Sequence, residues 1–211
     1  MIAFTRESLR KRRIKEAQFH KVVAELQPGD IILVRTRFFW LSILIRWVTK
    51  SYWNHSALVL TTFEELPGYH AVLVAEAALD GIEIHRIQKF LDNSRFDIGV
   101  KRVPKLTAPE RAHLTGYILS QVDSPYSLRR LAVSAYALLT GDFKHAINFI
   151  NIRTFLCSSF IQKAFYFALP SDRHSRVIFL PADDAARSVE FLSPADIAAS
   201  PNAEWIFNKH I

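Results

Sequence analysis

The chain changes its pattern at Pro104, and this change dictates the class of fold. Upstream of Pro104, short apolar or alternating segments are separated by turn pairs such as Pro67-Gly68 and Asp80-Gly81. Segments of this kind are typical of strands joined as an antiparallel meander. The strands are predicted at about 31–34, 54–60, 69–77, 82–87 and 96–103.

Downstream of Pro104 the apolar residues follow a helical period instead. Thr107, followed three positions later by Glu110, is typical of a capped helix start. Because the strands are grouped together and most helices follow them, the chain is predicted to fold as one α+β domain. Helices are predicted at about 6–26, 38–50, 108–122, 127–140, 143–152 and 157–168, with a short one entered at 192–196.

The positive charge of the chain is concentrated at its N-terminal end. Residues 1–50 hold 11 of the 27 basic residues and 4 of the 20 acidic ones, a net charge of +7, and the other 161 residues sum to zero. We therefore predict a basic helical arm over 1–25 and a single globular domain over 26–211. The arm suits an anionic membrane surface, or is a solvated helix without a partner. No specific nucleic acid partner is expected, since no nucleic-acid fold signature accompanies the basic residues.

The composition also restricts the compartment and the cofactors. A single cysteine excludes an intramolecular disulfide framework and any zinc site built on several thiolates. Residues 1–20 carry charge throughout and lack the apolar stretch of a secretory signal, and the apolar run 38–48 is too short to span a bilayer. We expect a cytoplasmic protein, or one peripheral to a membrane, that needs no metal and no organic cofactor.

The single cysteine, Cys157, stands where an apolar helix is predicted to begin. A thiol at a helix N-terminus is stabilised as thiolate by the helix dipole and by unpaired backbone amides. The same amides can stabilise a developing oxyanion. Cys157 is therefore a candidate nucleophile, and the alternative is a buried cysteine that only fills space.

Two further residues are candidates for a base and the group that orients it. His55 stands at the start of an apolar strand, and Glu76 ends the apolar run of the next strand. If 54–60 and 71–77 pair as a symmetric antiparallel hairpin, His55 lies directly opposite Glu76 on one face of the sheet. The alternative is a cross-strand polar pair at the sheet edge without a chemical role. His85, on the following strand, is a second candidate for the base.

Several segments of the chain, taken in order, share the pattern of one known family. They are LQPGDIIL at 26–33, SYWNHSAL at 51–58, VAEA at 74–77, GI at 81–82, SPYS at 124–127, LCSSFI at 156–161 and LSPADI at 192–197. Together they resemble the circularly permuted papain-like amidases of the NlpC type, the YiiX-like group, over about residues 26–206. The resemblance implies a papain-like fold, in which a small antiparallel β-barrel-like sheet packs against helices. It also implies that the nucleophilic cysteine lies at a helix N-terminus and that the permutation places the histidine before it in the chain.

The resemblance also implies roles for individual residues. By position, Cys157 is the nucleophile, His55 the base and Glu76 the polar group that orients the base. Tyr126 is implied to line the substrate site near the oxyanion. Ser127 departs from the pattern, because an acidic residue is expected after the tyrosine.

Three functions are compatible with these residues. The first, which we expect, is a cysteine hydrolase that cleaves a peptide or isopeptide amide through an acyl-enzyme on Cys157. The second uses the same three residues on a lipid acyl group, as an acyltransferase or lipase. The aromatic run 38–41 beside Arg35, Arg37 and Arg46 would suit the membrane contact that it needs, and the alternative is a core helix with ordinary surface arginines. The third is a non-catalytic basic binding module, for which Cys157 would be dispensable.

Overall fold

The computed structural model describes residues 21–37, 40–63, 72–78, 81–91, 95–122, 124, 128–149, 156–181 and 188–208. Within these residues the chain forms an antiparallel sheet of six strands in the order β4-β3-β2-β1-β5-β6. The strands β1 to β4 are neighbours in chain order, as in the predicted meander, and β5 pairs with the other side of β1. The strands are β1 (Ile31–Thr36), β2 (His55–Thr62), β3 (Val72–Ala78), β4 (Gly81–Arg86), β5 (Phe96–Arg102) and β6 (Glu204–Asn208).

Helices pack around this sheet, and the predicted α+β class is confirmed. The capping box predicted at the start of α3 is also confirmed, because the Thr107 amide donates to Glu110 Oε2 (2.8 Å) and the Glu110 amide to Thr107 Oγ1 (3.4 Å). The helices are α1 (residues 21–24), α2 (Trp40–Thr49), α3 (Ala108–Ser120), α4 (Leu128–Thr140), α5 (Phe143–Ala146), α6 (Cys157–Ala168) and α7 (Pro194–Ala199).

Alternate side chains along the strands point to opposite faces of the sheet and pack into two separate layers of the core. Leu58 and its neighbours on one face pack against Phe160 and Phe165 of α6. The other face buries an apolar set that includes Val59, together with Val23 from the end of α1. Because α6 is apolar along most of its length, its burial holds the start of the helix against the sheet.

The structure departs from the predicted elements at two places. The strand β6 was not predicted, and it forms by pairing with β5, about a hundred residues earlier in the chain. The helix predicted over 143–152 ends as α5 and continues as a 3₁₀ turn over Ile147–Phe149. Both outcomes depend on contacts between segments that are distant in sequence, and a local sequence pattern does not report such contacts.

The predicted boundary near residue 25 stays a prediction. Residues 1–20 of the basic arm lie outside the described residues. Where the description begins, Val23 and Leu26 are buried against the sheet. The end of the arm thus contributes to the core, and the separable part is at most residues 1–20.

One charged residue, Lys101 of β5, is buried in the sheet with 1% of its surface exposed. Its Nζ donates to the carbonyl oxygens of Ile197 (2.9 Å), Ala198 (2.8 Å) and Ser200 (2.7 Å). These carbonyls lie at the C-terminal end of α7, where the helix dipole favours a positive charge. Burial lowers the pKa of Lys101 to about 8. Lys101 therefore joins β5 to the end of α7.

Candidate active site

Three elements meet at the residues that the sequence singled out. Cys157 is the first residue of α6, His55 is the first residue of β2, and Glu76 lies within β3. The next residues along, Ser56 and Ser158, are buried with their hydroxyl oxygens 3.3 Å apart. This contact holds the start of α6 against the start of β2. The structure thus brings the three predicted residues together.

The contact between His55 and Glu76 is present, but the register that predicted it is wrong. Nε2 of His55 lies 2.5 Å from Oε2 of Glu76, whereas the residue directly opposite Glu76 is Ala57. A β-bulge at Leu60 interrupts the ladder, and the observed pairing is offset by two residues from the symmetric one. Because side chains alternate with a period of two, this offset keeps His55 on the face of Glu76, and the two side chains meet diagonally.

The thiol and the imidazole stabilise each other as an ion pair. Burial opposes the charged form of Cys157, but the positive charge of His55 and hydrogen bonds from His55, Ser158 and Ser56 lower the thiol pKa to about 7. Burial also opposes the imidazolium, but the negative charges of Cys157 and Glu76 raise the pKa of His55 to about 10. Thiolate and imidazolium are therefore the favoured forms between these two values.

The carboxylate of Glu76 has further partners besides His55. Nε2 of His85 lies 2.8 Å from Oε1, and Nζ of Lys89 donates to the same oxygen. Although burial opposes its charge, the charge of His55 and hydrogen bonds from His55, His85 and Lys89 hold the pKa of Glu76 far below its usual range. His85, the alternative base, thus contacts Glu76, whereas the thiol of Cys157 is hydrogen-bonded to His55.

The first turn of α6 also places backbone amides at the thiol. The first hydrogen bond of the helix runs from the amide of Phe160 to the carbonyl oxygen of Leu156 (2.9 Å). The amide of Cys157 comes before this bond in the chain, so it is not part of the intrahelical hydrogen bonding of α6. An amide in this position, at the positive end of the helix dipole, is suited to an oxyanion formed on a substrate carbonyl.

A cavity with a volume of about 80 Å³ lies beside Cys157 and His55. Its walls are mainly apolar side chains of α2, α4 and the segment 191–194. A group that enters the cavity would therefore bury apolar surface next to the thiol. The apolar wall residues are Leu44, Ile45, Val48, Ala135, Leu138, Leu156, Phe191, Leu192 and Pro194.

The polar side chains in this wall differ in whether they have a partner. Thr49 donates to the carbonyl oxygen of Ile45 (2.8 Å), and Ser193 donates to Asp196 (2.6 Å). The hydroxyl of Ser134, in contrast, is buried and has no hydrogen-bond partner among the described residues. A buried hydroxyl without a partner costs free energy, so a ligand that reached Ser134 would recover a hydrogen bond.

The outer face of α2 continues the apolar surface to the solvent. Leu44 both lines the cavity and is exposed, and Ile43 and Trp47 lie beside it on the same helix face, with Trp47 68% exposed. Arg46 and Lys50 follow on the same segment. A short apolar helix face with an exposed tryptophan and flanking basic residues is typical of contact with a membrane surface. None of the helices within the described ranges has the length and apolar character needed to cross a bilayer.

Several site residues fall outside the sequence predictions, and one prediction falls outside the described residues. Tyr126 lies in the undescribed segment 125–127. Lys89 follows β4 in the 3₁₀ turn Ile87–Leu91, and no pattern in the sequence marks it. Asn54 was not singled out either, although it precedes His55. Its side chain accepts from the Thr36 amide (2.8 Å) and donates to Ser42 (3.1 Å), which fixes α2 to β1.

Comparisons with known proteins identify relatives of the chain in sequence and in fold. A sequence model of the permuted papain-like amidases of the YaeF/YiiX type, family C92, matches residues 25–134, which include His55 and Glu76. The crystal structure of the metalloprotein YiiX from Escherichia coli O157:H7 resembles the chain with a TM-score of 0.57. It is 16% identical and covers 87% of this chain and 97% of its own. The family match, together with the structural likeness, confirms the predicted papain-like fold. No curated protein sequence matches the chain.

The YiiX protein from Escherichia coli is a metalloprotein. In this chain, among the residues for which side chains are described, no group of three or more His, Cys, Asp or Glu side chains is placed to hold a metal ion. The carboxylate of Glu76 instead contacts His55, His85 and Lys89.

Proposed function

This chain belongs to the permuted papain-like amidase family of the YaeF/YiiX type, and we propose that it is a cysteine hydrolase that cleaves a peptide or isopeptide amide. The observation that carries the proposal is the contact chain from Glu76 through His55 to Cys157 at the start of α6. Nucleophile, base and orienting carboxylate in contact are the arrangement required for covalent acyl transfer.

The first half of the reaction forms an acyl-enzyme. The thiolate of Cys157 attacks the carbonyl carbon, a carbon–sulfur bond forms, and the carbonyl electrons move to the oxygen. The amide of Cys157 donates a hydrogen bond to this oxyanion. His55 then gives its proton to the amine nitrogen as the carbon–nitrogen bond breaks. Because Nε2 of His55 is held by Glu76, the ring nitrogen that serves Cys157 and the leaving group is Nδ1.

The second half releases the acid. Neutral His55 accepts a proton from a water molecule as that water attacks the thioester carbonyl, and the thiolate of Cys157 leaves. The proton taken from water leaves His55 as imidazolium beside the released thiolate, so the ion pair is restored. Throughout, Glu76 keeps the imidazole in one orientation and stabilises its charged form.

Mass spectrometry of the intact protein with a panel of peptide, isopeptide and acyl probes tests the proposal. We expect a mass increase that corresponds to the acyl group of a reacting amide probe, located at Cys157 and absent from Cys157→Ser. Because the chain holds a single cysteine, the adduct reports on one residue. If no amide probe reacts while the thiol is freely alkylated, the amide hydrolase proposal fails.

The apolar cavity favours a second candidate, the same three residues acting on a lipid acyl group. An acyl chain fits a cavity whose walls are mainly aliphatic, and the exposed face of α2 with Trp47 would deliver it from a membrane. The basic residues of 1–20 would add salt-sensitive attraction to anionic lipid. On this reading the protein is a cytoplasmic enzyme that works at a membrane surface.

A series of substrates separates the two candidates. If a lipid acyl group is the substrate, kcat/KM should rise with acyl chain length and fall on Trp47→Ser, while a soluble peptide amide remains a poor substrate. Flotation with anionic vesicles at two salt concentrations should show weaker binding after deletion of residues 1–20. A preference for short peptide amides, with no binding to vesicles, would exclude the lipid candidate.

A further inference from the structure

The mechanism above uses one partner of Glu76, but the carboxylate has three. Its Oε2 faces His55, and its Oε1 faces both His85 and Lys89. The carboxylate side chain is only 3% exposed, so these contacts are made out of bulk water. His85 and Lys89 therefore act on the oxygen that the triad itself does not need.

The ring of His85 is held at both nitrogens. Nε2 lies 2.8 Å from Glu76 Oε1, and Nδ1 lies 3.1 Å from the carbonyl oxygen of Arg86. Both of these oxygens can only accept hydrogen bonds, so the ring satisfies both contacts only when both nitrogens carry a proton. The ring also packs edge-on against Phe90, with centroids 5.4 Å apart. His85 is thus fixed in place in a geometry suited to its cationic form.

The charged groups around Glu76, His85 and Lys89 come from four elements. His55 of β2 and Cys157 of α6 form the ion pair on one side of Glu76. Lys89 comes from the 3₁₀ turn after β4, and its Nζ also lies 3.9 Å from Glu83. Glu83 itself stands opposite Glu76 on β4 and is partly exposed. His85 and Lys89 on Oε1 therefore share the carboxylate with His55, and the ammonium of Lys89 offsets part of the negative charge that faces the imidazole.

We propose that His85 and Lys89 are positioning residues for the reaction: they fix the carboxylate of Glu76 and limit how strongly it holds the His55 proton. This role rests on the proposed function, because it concerns the ease with which His55 releases a proton to the leaving amine. A carboxylate facing His55 alone would hold the imidazolium too firmly, and its side chain would be free to turn.

Charge-removing variants make the proposal testable. His85→Gln keeps an N–H group for Oε1 but removes the charge, His85→Ala removes both, and Lys89→Gln removes the other charge at a side chain that is 43% exposed. His113→Gln, an exposed histidine on α3, is the matched control. Removing a positive charge near Cys157 and His55 should raise the pKa of both groups, because their protonated states are more positive than their deprotonated states.

The first readout is alkylation of the single cysteine by iodoacetamide as a function of pH. For His85→Gln and Lys89→Gln we expect its midpoint to rise by about half a pH unit to one unit, and the alkaline limb of kcat/KM to move in the same direction. In His85→Ala the carboxylate of Glu76 loses the contact that fixes its orientation, so kcat should fall by about a further tenfold. His85→Gln keeps an N–H group for Oε1 and should restore this part of kcat. His113→Gln should match the parent.

Midpoints of His85→Gln and Lys89→Gln that coincide with the parent would overturn the proposal. The alkylation midpoint needs no turnover, so a shift found in a protein that hydrolyses no probe would support the role of His85 and Lys89 while the hydrolase function fails. If His85→Ala does not fold, as judged by circular dichroism, Lys89→Gln decides the question, since its side chain is partly in solvent.

Discussion

Lys101 on β5 and Glu76 on β3 are both buried in the same sheet, and their partners differ in kind. The ammonium of Lys101 faces three backbone carbonyl oxygens, which can accept hydrogen bonds but cannot exchange a proton. The carboxylate of Glu76 faces His55, His85 and Lys89, each of which can carry or release one. A buried charge among fixed dipoles stabilises the fold, whereas a buried charge among titratable groups can support chemistry.

The largest expected effect concerns the residues in contact with Glu76 and the thiol. Cys157→Ser should lower kcat by about 10⁵-fold or more, because a hydroxyl at neutral pH is a far weaker nucleophile than a thiolate. His55→Ala should be nearly as damaging, since the other described side chains hydrogen-bonded to the thiol, Ser56 and Ser158, are hydroxyls that do not accept a proton at neutral pH. Steady-state assays on the reacting probe measure the loss, and circular dichroism shows whether the fold is kept. Unchanged turnover in Cys157→Ser would show that Cys157 is not the nucleophile, and absence of turnover in the parent on every probe would support the non-catalytic module.

Glu76→Gln should have an intermediate effect. The amide keeps a hydrogen-bonding group beside His55 but loses the charge that stabilises the imidazolium, so we expect a decrease in kcat of about 10²–10⁴-fold. The pKa of His55 should fall with it, and the alkaline limb of the pH–rate profile should move to lower pH. A variant with parental kinetics would mean that Glu76 is as structural as Lys101.

Lys101→Met should lower the stability of the fold and leave the activity nearly unchanged. Three carbonyl oxygens would lose their donor, which should lower the free energy of unfolding by about 2–4 kcal/mol. At temperatures where the variant is folded, kcat should stay near the parental value, because Lys101 does not touch the cavity. Urea denaturation measures the loss, with the exposed Lys144→Met as control. A large decrease in kcat without a loss of stability would contradict the structural role.

The ion pair itself should be visible in the reactivity of the thiol. With the pKa of Cys157 lowered to about 7, iodoacetamide should alkylate the folded protein about tenfold faster at neutral pH than an unperturbed cysteine. The thiolate contribution to stability is lost as the pH falls through about 7, and the imidazolium contribution is lost as the pH rises through about 10. Above pH 7 the thiolate contribution grows, while the imidazolium contribution declines from the unperturbed histidine pKa of about 6.5 upward. The two changes offset each other, so the free energy of unfolding should vary little with pH between about 7 and 8.5. A thiol that reacts only after denaturation would restore the space-filling alternative.

The smallest expected effect is at Ser134, whose buried hydroxyl, unlike the ammonium of Lys101, has no hydrogen-bond partner among the described residues. Ser134→Ala should not lower the free energy of unfolding and should raise it by up to about 1 kcal/mol. The same change should raise KM a few-fold for a substrate that bonds to the hydroxyl. Ser193→Ala is the matched control, because it breaks the contact with Asp196 and should lower stability. A loss of stability in Ser134→Ala equal to that control would show a structural hydroxyl.

Much of the site could be read from local features of the sequence. A lone cysteine before an apolar helix and a histidine at the start of an apolar strand are local patterns, and the structure places Cys157 and His55 at those two positions. Glu76 was found through an assumed register that is wrong by two residues, and its face was still correct because strands alternate with a period of two. Of the other two partners of Glu76, His85 was predicted only as an alternative base, and no sequence pattern marked Lys89.

The sequence by itself determined the order of elements, the capping box of α3, the α+β class and the residue types of the triad. Each of these depends on neighbours within one or two turns of helix or one strand. The tertiary structure alone decided the pairing of β6, the diagonal contact of His55 with Glu76, the second pair of partners on that carboxylate and the closing of an apolar cavity beside Cys157. These depend on distances between segments tens of residues apart, which are set by packing and by a β-bulge rather than by local propensity.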